Sequence, residues 1–158
     1  MSIFALMEDV QAIVATRNRR MPTHQATVYA IEHVVERVLP SRRIARRHAQ
    51  AWLDAVCEAE GWDTPSVEPI RSTKWQGVAS REQNAIGIAG AETTVLTLAH
   101  ELAHIVCGED GHDECWRHAF VNIVREHVSV EHASLLHTLY ARFQLQAGQW
   151  RLTEASRL

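Results

Sequence analysis

The sequence predicts an α+β fold of three amphipathic helices, a small and mainly antiparallel sheet, a further apolar helix and two closing helices. Three observations predict it. Apolar residues recur at helical spacing over residues 3–60 and again over 93–143. Between them, residues 62–90 carry Pro65, Pro69, Gly77, Gly87 and Gly90 among short apolar runs, the texture of strands and turns. The helix that follows holds His100, Glu101 and His104 among apolar neighbours, so polar chemistry is concentrated inside an otherwise buried segment. At 158 residues and 46% hydrophobic, the chain can build one core. Residues 1–150 read as a single domain and residues 151–158 as a loose tail.

Taken in order, Ile3, Phe4, Leu6, Met7, Val10, Ile13 and Val14 give a first helix over residues 3–16. The second begins near Thr23 or His24 and turns Val28, Ile31, Val34, Val35 and Val38 inward until Pro40 stops it. Ser41 is the expected N-cap of a third helix reaching Glu60. Its inward face reads as Ile44, Ala45, His48, Ala51, Trp52, Ala55 and Val56, with Gly61 closing it. Residues 67–70, 75–79 and 85–89 read as strands, with a turn over 81–84. The motif helix runs from Thr93 or Thr94 to Cys107 and ends at Gly108. Asp113 can cap a helix with Trp116, Ala119, Phe120, Ile123 and Val124 inward. Ser129 can cap a last helix carrying Ala133, Leu136, Leu139, Tyr140 and Phe143, ending near Gly148.

Composition narrows the setting. A formal net charge of -3 gives no bulk argument for nucleic-acid or membrane binding. No apolar run reaches the ~18 residues of a spanning helix. The N-terminus lacks a basic region and is interrupted by Glu8 and Asp9, unlike a signal or transit peptide. Cys57, Cys107 and Cys115 are few and odd in number, which suits reduced thiols and a cytoplasmic setting.

His100-Glu101-Leu102-Ala103-His104 reads His-Glu-x-x-His. Histidines four apart share one helix face and can bind one metal ion, while Glu101 can reach a water beside it and act as general base. That division of labour suits zinc-dependent hydrolysis, and a bare histidine–glutamate pair among Leu98, Leu102, Ala103, Ile105 and Val106 would be costly without a partner. A catalytic zinc site needs a third ligand. A metzincin would place glycine where Cys107 stands and His or Asp at position 110; Asp110 fits, but Gly108 is one residue late. Glu114 or Glu126 would serve a gluzincin, and His118 lies further along the closing helix. His112 is preferred, because it follows Gly111 and can return over the motif helix after a short loop.

The segment Gly111-His112-Asp113-Glu114-Cys115-Trp116 resembles SprT-like zinc peptidase domains, which follow His-Glu-x-x-His with Gly-His-Gly and then an aromatic residue. Here Asp113 stands at the second glycine, Trp116 supplies the aromatic, and the connection from His104 is shorter. A resemblance covering more of the chain is to small metallohydrolases of actinobacteria and their phages, carried by residues 25–32, the His100–His104 motif, Gly111-His112, and residues 120–127 and 133–136. Both resemblances imply a zincin-like fold and Zn2+ held by His100, His104 and His112, with Glu101 catalytic. The SprT-like resemblance implies a peptide or protein substrate; the other supplies no substrate.

A second reading stays open. His104, Cys107, His112 and Cys115 form two His-x-x-Cys pairs that could close a structural zinc site in a non-catalytic binding domain. The plainer reading of both cysteines is small buried hydrophobes. Arg42, Arg43, Arg46 and Arg47 form a basic stripe that could meet nucleic acid, since SprT-like proteases act on DNA-bound proteins; a solvated face is the plainer reading. Glu92 and Glu109 are the candidate groups to orient a ligand imidazole, and Ala85-Ile86-Gly87-Ile88 is a candidate sheet edge for pairing with an extended peptide, with an ordinary core strand as the equally good reading. His118, His127, His132 and His137 read as surface histidines, and the five tryptophans, Trp150 among them, as core or rim.

Overall fold

The computed structural model describes residues 1–17, 21–108 and 111–148. The expected tail over 151–158, Trp150, and the residues Glu109 and Asp110 lie outside the described residues. In chain order the elements are α1 (Ile3–Arg17), α2 (Thr23–Val38), β1 (Arg43–Ala45), α3 (Arg46–Glu60), β2 (Ser66–Ile70), β3 (Gly77–Ser80), β4 (Ala85–Ala89), β5 (Glu92–Thr94), α4 (Val95–Cys107), α5 (Glu114–His127) and α6 (Val130–Arg142). The fold is α+β, with six helices and two small sheets among the described residues. No described helix is long and apolar enough to cross a membrane.

The main sheet has the order β2-β4-β3 and is mixed, where a mainly antiparallel one was expected. β3 and β4 form an antiparallel hairpin, with Asn84 at φ 46 in the turn, while β2 runs parallel along the other side of β4. β4 is therefore the central strand: of the two readings of residues 85–88, the ordinary core strand holds and the sheet edge does not. The reason is burial. Ala85, Ile86 and Ile88 are all inside, and a strand covered on both faces belongs in the middle of a sheet. Gly87 permits it, since a Cβ there would sit 2.6 Å from Ile70 Cγ2 on β2. The edges are β2 and β3.

The second sheet was not expected. β1 and β5 pair antiparallel from Arg43↔Thr94 to Ala45↔Glu92, and backbone bonds from Arg46 N–H to Ala91 O and from Val95 N–H to Arg42 O close the ladder. This clamps the starts of α3 and α4 together. It also displaces the expected start of the third helix. Ser41 caps nothing; its N–H and hydroxyl donate to the Glu36 carboxylate at 3.0 and 2.8 Å, and α3 starts after Ala45. The buried face of α3 is Ala49, Leu53, Val56 and Cys57, while the expected His48, Ala51 and Ala55 are exposed. Leu53 supplies more apolar area than those residues and sets the phase. Gly61 ends α3 at φ 72 as expected. α6 stops at Arg142, short of Gly148, because Leu145 N–H bonds back to Tyr140 O and Gln144 takes a positive φ of 58.

α4 lies across the core. Leu98, Ala99, Leu102 and Ala103 are buried against a cluster that includes Val28, Ile31, Ile88, Trp116 and Phe120. Each large side chain so buried contributes roughly 1.5–3 kcal/mol. The Thr94 hydroxyl accepts from Thr97 N–H at 3.1 Å, which fixes the first turn, and Gly108 ends the helix at φ 79. Replacing Thr94 by Ala removes that cap. The expected loss of stability is about 1 kcal/mol, read from urea unfolding of the metal-free protein; an unchanged midpoint would mean the β1–β5 clamp alone sets the start of α4.

Candidate metal centre

Two segments of the chain bring three histidines to one point. His100 and His104 share the inward face of α4, one turn apart. His112 arrives from the segment before α5, whose geometry is held twice. The Asp113 side chain accepts from Trp116 N–H at 2.9 Å as the N-cap, as its position before the helix predicts. The buried Arg117 guanidinium donates to the carbonyl oxygens of His112 and Gln146, tying the ligand-bearing backbone to the chain beyond α6.

All three rings are buried, and one nitrogen from each lies within 4.8 Å of the others. His100 Nε2 is 3.3 Å from His104 Nε2 and 3.0 Å from His112 Nε2. Two nitrogens bound at ~2.0–2.1 Å to one tetrahedral ion are about 3.3 Å apart, so the donor set fits a metal ion. No other group of three possible ligands is formed among the described residues.

The rings are oriented from outside the trio. Glu32 on α2 accepts from His100 Nδ1–H with both carboxylate oxygens, at 2.9 and 2.8 Å. That bond fixes the tautomer and turns the Nε2 lone pair toward the other two histidines. Burial lowers the His100 pKa and Glu32 raises it; the carboxylate prevails and the net shift is upward. His112 is pushed down to about 2, chiefly by burial and then by the charges of His100 and His104. It stays neutral, the form that metal binding would require. Trp116 floors the cluster, with its ring centroid 4.7, 5.4 and 4.4 Å from those of His100, His104 and His112. Tyr29 stacks on His100 at 5.8 Å and meets His112 edge-on at 4.9 Å.

Glu101 is buried beside the trio without joining it. Ala79 of β3 supplies a backbone N–H to its carboxylate. Burial raises its pKa most, and the Glu32 charge adds to this, while His100 and the Ala79 N–H oppose. Gly77 makes the approach possible, because a Cβ there would lie 2.9 Å from both Glu101 Cγ and Oε1. Two adjoining cavities, of about 270 and 240 Å³, open over this side and share Tyr29, Trp75, Gly77, His100 and Glu101. A larger cavity of about 500 Å³ contains none of the three histidines; Trp62, Cys107, Cys115 and His118 line it.

Several expected roles move. The orienting carboxylate is Glu32, not Glu92, which pairs with Arg43 at 3.1 Å; Glu109 lies outside the described residues. Sequence reasoning missed Glu32 and Tyr29 as site residues. Their signal was a tyrosine and a carboxylate three apart on the border of α2's apolar face. Among the rival ligands, Asp110 lies outside the described residues, Glu114 and Glu126 are exposed, and His118 lies against Gly148. Cys107 and Cys115 do not join His104 and His112. Cys115 is exposed and Cys107 half-buried, so neither is a buried hydrophobe; the thiol of Cys115 faces the Cys107 carbonyl at 3.9 Å. His132 is buried rather than on the surface, bonded to the Ser129 hydroxyl and the Leu39 carbonyl, both at 2.7 Å. The arginine stripe is split between β1 and α3, with Arg43 on Glu92 and Arg46 on the Gly90 carbonyl.

Two outcomes follow for the metal-free and metal-loaded protein. Glu32→Gln keeps the size of the side chain but removes its charge, and is expected to lower metal affinity roughly 10–100-fold. Competition against a chromophoric chelator measures it, and wild-type affinity would remove Glu32 from the site. The second concerns pH. Unfolded His112 gains a proton near 6.5, which the folded side chain refuses until about 2, so falling pH favours the unfolded state through this group. The loss of metal-free stability from pH 6.5 to about pH 5 is therefore expected to be shallower in His112→Asn than in wild type. Parallel thermal-melt profiles of the two proteins would contradict this.

No family model matches the chain, and the curated proteins and solved structures gave no match either.

Proposed function

We propose that this chain is a zinc-dependent hydrolase of zincin-like arrangement, acting on peptide or protein substrates. His100, His104 and His112 would hold the ion, and Glu101 would be the general base. The observation that carries the reading is the pairing of three convergent imidazole nitrogens with a buried carboxylate that is not one of the ligand group yet lines the same cleft. A purely structural zinc site uses four protein ligands, whereas three ligands with solvent access leave a position for chemistry.

A zinc ion there would supply Lewis acidity, polarising a carbonyl oxygen and lowering the pKa of a water. Glu101, buried on the cleft wall, would take up a proton from an attacking water and return it to the leaving amine. Its raised pKa suits both steps, because a base nearer neutrality returns a proton readily. Tyr29, pushed up to about 12 chiefly by burial, remains a neutral hydrogen-bond donor on the cleft wall, where it can meet the substrate carbonyl.

β3 supplies the bench for an extended chain. Ala89 N–H donates to Gln76 O at 3.0 Å, so that parity of residue bonds β4. Gly77 and Ala79, of the other parity, turn their backbone groups away from β4 and toward the cleft. Ala79 N–H is engaged with Glu101, and the backbone of Gly77 can pair with a substrate strand.

The test is a proteolysis screen of zinc-loaded wild type, Glu101→Gln and the double variant Cys107→Ser/Cys115→Ser, with bound zinc measured for each. The expected result is cleavage by wild type and the cysteine variant, full zinc in all three, and a loss of at least ~100-fold in Glu101→Gln. Equal cleavage by wild type and Glu101→Gln would refute the assignment of the base. Loss of zinc from the cysteine variant would refute the ligand set.

A further inference from the structure

The two compartments of the cleft differ in charge. The one along β3 is walled by Gly77, Val78 and Ala79 and carries no lysine or arginine. The other, of about 270 Å³, is lined by Arg17 from the end of α1 and by Lys74 and Trp75 from the segment before β3. Its carboxylates are already engaged: Glu32 holds His100 with both oxygens, and Glu101 takes the Ala79 N–H. Arg17 and Lys74 form no ion pair among the described residues, whereas Arg37 and Arg43 pair with Asp9 and Glu92. The Lys74 ammonium lies 4.8 Å from the Trp75 ring centroid. In a chain of net charge -3, two cations gathered at one end of the cleft run against the overall sign.

We propose that Arg17, Lys74 and Trp75 form a carboxylate-binding subsite that selects peptides carrying an anionic group beside the bond to be cut. The inference rests on the hydrolase reading and names the substrate class for it. An arginine fork and an ammonium lining one recess favour a carboxylate, although solvent screens part of the attraction at these exposed side chains. Trp75, 40% exposed, offers a flat apolar face to the rest of the residue that bears it. The volume fits a short stretch of chain, being below the ~300–1,000 Å³ typical of drug-sized ligands. Either a C-terminal α-carboxylate or an Asp or Glu side chain supplies the chemistry.

Calorimetric binding to zinc-loaded Glu101→Gln protein tests this without turnover. The probes are acetyl-Ala-Ala-Ala against its C-terminal amide, and acetyl-Ala-Glu-Ala-amide against acetyl-Ala-Gln-Ala-amide. At least one carboxylate probe is expected to bind roughly tenfold tighter than its neutral partner, and the pair that shows the difference identifies the source. The preference should vanish when Arg17→Gln and Lys74→Gln are added and persist with Arg17→Lys. Both the double and the single variant should fold, because the two side chains are exposed. Equal binding of all four probes, or no binding, overturns the proposal. So does a preference that survives loss of both cations, which would place the carboxylate on the metal. Cleavage by wild type is scored alongside. Indifferent cleavage of charged and neutral peptides removes the subsite and leaves the hydrolase. Arg17-dependent binding without cleavage keeps the subsite and removes the hydrolase.

Discussion

Three imidazole rings buried together must each turn a nitrogen lone pair toward the same small volume, and much of the surrounding structure serves that constraint. Buried ring nitrogens that converge in this way are costly unless a partner satisfies them. α4 supplies two rings by helical spacing alone, but their orientation is set elsewhere. Glu32 reaches from α2 to fix His100, and Arg117 reaches from α5 to hold the backbone of His112. Trp116 fills the space beneath all three. A metal ion is the partner that such a set accepts, and its binding free energy would then be part of the folding free energy.

The two carboxylates near the centre show how environment divides roles. Both Glu32 and Glu101 lie close to His100, yet only Glu32 bonds its outer nitrogen. Glu32 acts through the ring and sets the direction of its lone pair. Glu101 is held by a backbone N–H of β3, on the side where the cleft opens, and its raised proton affinity faces that cleft. The absence of a side chain at Gly77 maintains this separation: any Cβ there would push the Glu101 carboxylate from its place.

Local signals in the sequence were legible because they act over a few residues. The spacing of His100 and His104, the caps at Asp113 and Ser129 and the glycine stops at Gly61 and Gly108 all need only helical geometry. His112 was legible too, since the end of α4 at Gly108 leaves a short return path. What escaped was set by pairing between distant segments. Nothing near Arg43–Ala45 announces its partner at Glu92–Thr94, and that pairing took Ser41 away from α3. The place of β4 in the middle of the sheet depends on which strand buries both faces, which periodicity does not resolve in a run of five residues. Glu32 lies 68 residues from His100 in the chain, so a carboxylate on a helix border gave no hint of its partner.

The geometry leaves His100, His104 and His112, and neither Cys107 nor Cys115, placed to hold a metal ion. X-ray absorption at the zinc edge of the loaded protein reads this directly. The expected spectrum has three imidazole nitrogens and one oxygen at about 2.0–2.1 Å, with the outer-ring scattering that imidazole produces and no sulfur. A zinc–sulfur shell at about 2.3 Å would contradict the account and return Cys107 and Cys115 to the site.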